Sequence, residues 1–339
     1  MSYTREKRTR IKTYMMEKIF IGDSSFIEKT VKTFDTSTTT VYKYLQELQE
    51  SGMLTKDSSG KFALKDSLRK DYEYDLNDRL QEDIIYNDTL RDVVKKLPDN
   101  VVRIWEYSFM EMVNNAIDHS IGTKIKIFIR QNALYTWVNI VDDGVGIFNK
   151  IAEYYKFNDL DEAILALFKG KLTTDSANHS GEGIFFTSRV MDHFYALSDE
   201  KVFSQDNTVE MIRTIEEGKK NENKGTRIIL ALSNYATQSL REAFNEFSSD
   251  NGGFSITKIP MKKICDSGYP VSRSQAKRLY FGFDKFKTII LDFKDVDDIG
   301  QGFAHELFVV FRRNNPAIEL KCINENENVS RMIAHVLSD

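Results

Sequence analysis

A chain of 339 residues is long for a single core and is expected to divide into two or three domains. With 41% hydrophobic, 12% aromatic and 29% charged residues, 4 Pro and 17 Gly, it cannot be disordered, collagen-like or low-complexity. The opening MSYTREKRTR has charge but no apolar run, and no stretch approaches about 18 uninterrupted apolar residues, so neither a secretory signal nor a membrane span is expected. Cys265 and Cys322 match no zinc or thioredoxin-type spacing, which argues against a disulfide framework and a Cys-based metal site. A cytoplasmic location is expected.

Net charge is −4, but residues 1–65 hold 12 Lys/Arg against 8 Asp/Glu, +4 for the head and −8 for the rest. A basic head on an acidic body points to nucleic acid at the head alone. In the head, Ile11, Met15 and Ile19 recur about one turn apart, predicting an amphipathic helix over 4–20. Asp23-Ser24-Ser25 offers the cap of a second helix with Phe26, Ile27 and Val31 on its apolar side. A third helix, TTTVYKYLQELQE, buries Val41, Leu45 and Leu48 and stops at Gly52. Two short segments, LTKD and KFALK, flank a turn at Ser58-Ser59-Gly60. This order resembles a winged helix-turn-helix domain. In that family the start of the third helix enters the major groove, which implies double-stranded DNA contacts by Thr38, Thr39, Thr40, Tyr42 and Lys43, with Lys61 of the wing on phosphate. Winged helices also serve as protein-binding or dimerising modules, so a homodimer is compatible with the same pattern.

Residues 69–98 are charge-dense, with Leu80, Ile84, Leu90 and Val94 at loose helical spacing; a helical connector ending near Pro98 is expected. The segment EYSFMEMVNNAIDHS then reads as a helix that buries Phe109, Val113, Ala116 and Ile117. Glu111 and Asn115, four apart, share one face, with Asp118 and His119 on the next turn. In isolation this would be a surface pair. After the alternating strands KIKIFIR and LYTWVNIV comes Asp142-Asp143-Gly144-Val145-Gly146-Ile147, whose glycines let backbone approach a ligand. His179-Ser180-Gly181-Glu182-Gly183-Ile184 opens the expected helix IFFTSRVMDHF, and glycines at a helix start leave N–H groups free for phosphate. Gly225-Thr226 begins the strand TRIILAL.

Together, in this order, these elements resemble the GHKL family of gyrase, heat-shock chaperones, histidine kinases and MutL, including the anti-sigma-factor kinases. The resemblance spans roughly residues 90–235 and implies ATP and Mg²⁺ as cofactors. By it, Glu111 is the general base toward the attacking water, and Asn115 binds Mg²⁺. Asp142 accepts from the adenine amino group, with Thr226 assisting, and Gly144 and Gly146 make room for the ring. Gly181 and Gly183 lie near the phosphates, Asp118 belongs to the same nucleotide-binding set, and Thr173-Thr174 resembles the lid threonines of the histidine-kinase branch. The chemistry agrees: phosphoryl transfer needs charge neutralisation and positioning, and Mg²⁺ takes oxygen ligands while keeping waters. No P-loop sequence is present, and GEGIFF lacks the third glycine of a Rossmann turn. None of the five histidines lies on an upstream dimerisation helix, against a sensor kinase.

Beyond residue 245, strands and helices alternate: a helix over 271–281, the buried strand KTIILDF, the loop DDIGQG, the helix FAHELFVVFRR, the strand IELKCIN and a last helix from about Val329. This resembles the STAS-like domains related to anti-anti-sigma factors, and implies a protein partner there. Asp298 or Ile299 stands where that family carries its phosphorylatable hydroxyl.

The expected fold is an α+β multidomain chain. It comprises a winged helix-turn-helix (1–68), a helical connector (69–98), a GHKL (Bergerat) α/β sandwich (99–235) and a small STAS-like α/β domain (245–339). The expected function is an ATP-binding, ATP-hydrolysing transcriptional or defence regulator in which nucleotide orders a lid around residues 165–182 and changes DNA or partner binding. The alternatives are an anti-sigma-like serine/threonine protein kinase and an interaction module that holds ATP without turnover.

Overall fold

A computed structural model describes residues 3–58, 60–77, 79–172, 181–205, 224–249, 253–263 and 269–338. Thr173, Thr174, His179, Ser180 and Cys265 lie outside these described residues.

The head forms as its periodicity predicts. Helix α1 (Arg5–Phe20) is capped by Thr4, whose side chain accepts from the Lys7 N–H at 3.2 Å, and it buries Ile11, Met15, Met16 and Ile19. Helix α2 (Phe26–Phe34) is preceded by Asp23, which accepts from the Ser25 N–H and hydroxyl. Helix α3 (Thr38–Glu50) is capped by Ser37 on the Thr40 N–H, and Gly52 at φ +73° turns the chain out of it. Strands β1 (Leu54–Lys56) and β2 (Phe62–Leu64) pair as an antiparallel hairpin.

No helical connector separates the head from the body at this point. Strand β3 (Asp66–Asp75) follows β2 directly and pairs antiparallel with β4 (Lys124–Asn132). Leu68, Tyr72 and Tyr74 point to the core while Arg69, Asp71 and Glu73 face out. Lys124 and Lys126 both pair with Glu73 across the strands. The expected connector therefore reduces to α4 (Glu82–Thr89) and α5 (Arg91–Val94), and the expected boundary at residue 68 falls inside an edge strand.

Six antiparallel strands form the central sheet in the order β3-β4-β5-β8-β6-β7, adding β5 (Tyr135–Asp142), β6 (His193–Ser198), β7 (Lys201–Phe203) and β8 (Arg227–Ser233). Helix α6 (Asp99–His119) lays Ile104, Trp105, Phe109, Met112 and Val113 on this sheet's core. Helices α7 (Ile147–Tyr155), α8 (Leu160–Lys169) and α9 (Gly183–Val190) follow. Two expectations are corrected here. The helix expected over IFFTSRVMDHF ends at Val190, because HFYALS alternates and enters the sheet as β6. Of the expected lid, residues 165–169 are the last turns of α8, whose apolar side is buried.

After α10 (Leu240–Glu246), strands β9 (Ile256–Pro260), β10 (Thr288–Asp292) and β11 (Glu319–Ile323) form a parallel sheet with β10 in the centre. Helix α11 (Arg273–Tyr280) has a capping box from Ser272 and Gln275. Helix α12 opens at Gln301–Ala304, widens to π geometry over His305–Phe311 and closes at Arg312–Asn314; α13 (Glu327–Ser338) ends the chain. The chain is thus mixed α/β with several sheets, and no described helix is long and apolar enough to cross a membrane.

Both outer parts are fastened to the central sheet. The head core closes over Leu134 in the β4–β5 turn, and Phe20 packs against Tyr135 with centroids 5.1 Å apart and the rings tilted by 37°. The C-terminal core takes in Leu165 of α8 and Phe185 and Phe186 of α9. At that junction Lys169, only 3% exposed, donates to the Arg278 and Phe281 carbonyls at 3.1 and 2.9 Å. Burial pushes its amine down to about 7, against the pull of Glu162 toward the charged form. A cation whose folded pKa lies below its unfolded value, about 10.4, costs stability at neutral pH, and the cost is relieved as pH rises between the two values. Wild type should therefore gain stability from about pH 7 toward pH 10, and Lys169→Met should flatten that rise in a denaturant titration.

Candidate functional site

Helix α6 ends where β5 ends, and between them lies a cavity of about 240 Å³. Glu111 and Asn115 wall it from α6, Asp142 from the end of β5, Gly146 from the turn into α7, Gly181 and Gly183 from the entry to α9, and Thr226 from the start of β8. These positions span 115 residues of sequence, from 111 to 226, and the antiparallel pairing of β5 with β8 brings Asp142 and Thr226 together.

Asp142 is 7% exposed, and its Oδ1 accepts from the Gly144 N–H at 2.9 Å and the Thr226 N–H at 3.1 Å. Burial raises its pKa, opposed by those two N–H donors and the Thr226 hydroxyl. The Thr226 hydroxyl also accepts from the Ile147 N–H at 2.9 Å, so one threonine ties β8 to β5 and to the start of α7. Gly225 makes this possible: at φ +105° a Cβ there would fall on the Asp142 carbonyl. The adjacent Asp143 faces away. Partial burial raises its pKa, but the Thr123 hydroxyl and the Lys124 and Thr123 N–H groups outweigh this and hold it below the usual range. The two carboxylates of the pair are thus differently employed, one at the cavity and one anchoring the start of β4.

Glu111 meets the entry to α9, where a Cβ on Gly183 would overlap its Oε2. A second carboxyl, Glu182, also lines the cavity; burial raises its pKa, with Lys171 opposing. Tyr107, beside both, is pushed up by burial and then by the charges of Glu111 and Glu182. Lys150 of α7 brings a cation to the wall and donates to the His119 carbonyl at 2.6 Å. Sequence reasoning missed Lys150 and Glu182. A lysine one turn into the helix after the glycine turn, and a glutamate between two cavity glycines, were the available signals.

Two expected site residues stand outside the cavity wall. Gly144 does not line the cavity: a Cβ there would fall on the Ser120 carbonyl, and Val145 donates to that same oxygen at 2.9 Å. Its lack of a side chain lets the β5 turn close onto the end of α6. Asp118 is exposed and outside the cavity wall, although at seven residues from Glu111 it lies close to the same helix face, one turn beyond Asn115. Thr174 lies outside the described residues. In the head, Thr38, Thr39, Tyr42, Lys43 and Lys61 are exposed, whereas Thr40 is half-buried and engaged with the Ser37 cap.

At the C-terminal domain, Asp298 is exposed and caps the Ile299 N–H at 2.7 Å, while Ile299 is buried in the core. Gly300 donates to the Pro270 carbonyl at 2.8 Å and leaves no room for a Cβ against the Val271 carbonyl. A family model described as a STAS-like domain of unknown function (DUF4325) matches residues 275–330. Those residues form a STAS-like domain. No curated protein matches the chain. The matched span runs from within α11, across β10, α12 and β11, into α13, and β9 pairs with β10 of that span. Among the described residues no group of three or more His, Cys, Asp or Glu stands ready to cage a metal.

Proposed function

We propose that the chain is an ATP-binding and ATP-hydrolysing regulator of GHKL type, with a winged helix-turn-helix head for double-stranded DNA and a STAS-like domain for a protein partner. Asp142 carries the reading. A buried carboxylate with one oxygen committed to two backbone donors presents its remaining acceptor capacity to a ligand amino group, as adenine offers. Across the cavity stand the carboxylate of Glu111 and the carboxamide of Asn115, oxygen donors near the glycine-rich entry to α9. A cavity of about 240 Å³ suits the base and ribose, with the phosphates toward Gly181 and Gly183.

In this mechanism Asp142 and Thr226 fix the base. The N–H groups at the start of α9 face the phosphates, and Lys150 adds positive charge beside them. Asn115 offers the amide oxygen for Mg²⁺, which needs few protein ligands because it keeps waters and phosphate oxygens; bound there, it would neutralise phosphate charge. Glu111 orients a water and accepts its proton as the oxygen attacks the γ-phosphorus, the bond to the β,γ-bridging oxygen breaks and ADP leaves with that oxygen. At the head, Thr38, Thr39, Tyr42 and Lys43 form the exposed N-terminal face of α3, and Lys61 stands on the hairpin turn. The reading is tested by phosphate release from ATP with and without Mg²⁺, alongside duplex binding with and without ATP. Mg²⁺-dependent release with nucleotide-sensitive duplex binding supports it, and neither being present contradicts it.

The STAS-like domain favours one second reading, a serine/threonine protein kinase, since such domains are substrates of anti-sigma kinases. In this chain the loop offers Asp298, Ile299 and Gly300 with no hydroxyl, so the acceptor would be a separate partner. Label from γ-labelled ATP appearing on protein distinguishes transfer from hydrolysis.

A further inference from the structure

Helix α9 belongs to two sites at once. Gly183 and Ile184 of its first turn line the nucleotide cavity, and Gly183 abuts Glu111. The next two residues, Phe185 and Phe186, are fully buried in the core of the STAS-like domain. Phe185 lies with its ring centroid 4.4 Å from that of Phe254, and Phe186 lies 5.0 Å from the same ring.

Arg189 closes the joint. Its guanidinium lies 3.4 Å over the Phe185 ring and donates to the carbonyls of Phe185, Phe168 and Lys258, which belong to α9, α8 and β9. A second tie runs from the Thr257 hydroxyl of β9 to the Lys169 carbonyl at 2.6 Å. The parts approach closely at Gly170, φ +83°, where a Cβ would meet Phe185 at 2.6 Å and Phe254 at 2.8 Å. A helix held by both cores couples them, so a displacement of Phe185 or Phe186 is passed to Gly183 within the same turn.

We propose that the STAS-like domain sets nucleotide affinity at the cavity by gripping α9, with Arg189 as the positioning residue. A partner bound to that domain then tunes ATP binding, and ATP tunes partner binding by the same factor. The proposal rests on the ATP reading above and adds its regulation.

The test uses the full chain with Mg²⁺. ATP affinity is measured by calorimetry for wild type, Phe254→Leu, Arg189→Met and Arg189→Lys. Hydrogen exchange of wild type is followed with and without ATP. Phe254→Leu and Arg189→Met are expected to weaken ATP about tenfold. Arg189→Lys should recover part of the loss, because an ammonium can still donate to the Phe168 and Lys258 carbonyls. In wild type, ATP should slow exchange in β9 and β10 more than in α3 of the head, which separates coupling from general stabilisation. Wild-type ATP affinity in folded variants, with β9 and β10 slowed no more than α3, overturns the coupling and leaves ATP binding standing. If wild type binds no ATP, both readings fall. If the variants do not fold, the wild-type exchange comparison decides alone.

Discussion

Glu111→Gln is expected to keep ATP and Mg²⁺ bound while turnover falls by about 10²–10⁴, the usual worth of a positioned general base. The substitution is chosen for shape. Glu111 packs so closely on Gly183 that an alanine would open space against α9, whereas glutamine fills the same volume. It cannot accept a proton at neutral pH, so only the base function is removed. Single-turnover phosphate release at saturating ATP reads the chemical step, and calorimetry reads binding. Turnover retained within a few-fold would remove Glu111 from the mechanism and hand the role to another carboxyl on the wall, with Glu182 the first to examine.

Asp142→Asn is expected to fold and to lose ATP. If the amide keeps its oxygen toward the Gly144 and Thr226 N–H groups, the turn stays intact and its NH₂ faces the place where the adenine amino group donates. Two donors then oppose each other in a buried site, a loss of about 2–3 kcal/mol, roughly 30- to 150-fold in affinity. Asp142→Ala would confuse the result, because both N–H groups would lose their acceptor and the turn itself would weaken. An Asp142→Asn protein with wild-type melting temperature and wild-type ATP affinity would show that this carboxylate does not read the base.

Much of the candidate site could be read in the chain because its residue types are tied to backbone shape. Glu111 and Asn115 sit four apart on a helix of clear periodicity, and the glycines beside Asp142 and Thr226 sit where strands end. What escaped was set by partners distant in sequence. Gly144 looked like ligand space, yet its neighbour is the Ser120 carbonyl, 24 residues earlier. Strand β3 hid in a charged stretch because it is an edge strand with one wet face, and Lys70 interrupts the alternation of Leu68, Tyr72 and Tyr74. Lys169 reads as a surface lysine at the end of a helix and is buried only because the STAS-like domain closes over it. Phe185 and Phe186 likewise pack into the core of the neighbouring domain, a placement that the sequence of α9 alone does not carry.

The most direct measurement compares ATP with inosine triphosphate for binding to the wild-type chain with Mg²⁺. Inosine carries an oxygen where adenine carries its amino group and keeps the same phosphates and ribose, so it isolates the contact assigned to Asp142. ATP is expected to bind at least about 100-fold more tightly, as a site built to accept from an amino group rejects an analogue without one. Equal affinity for the two, or no affinity for either, would contradict the account.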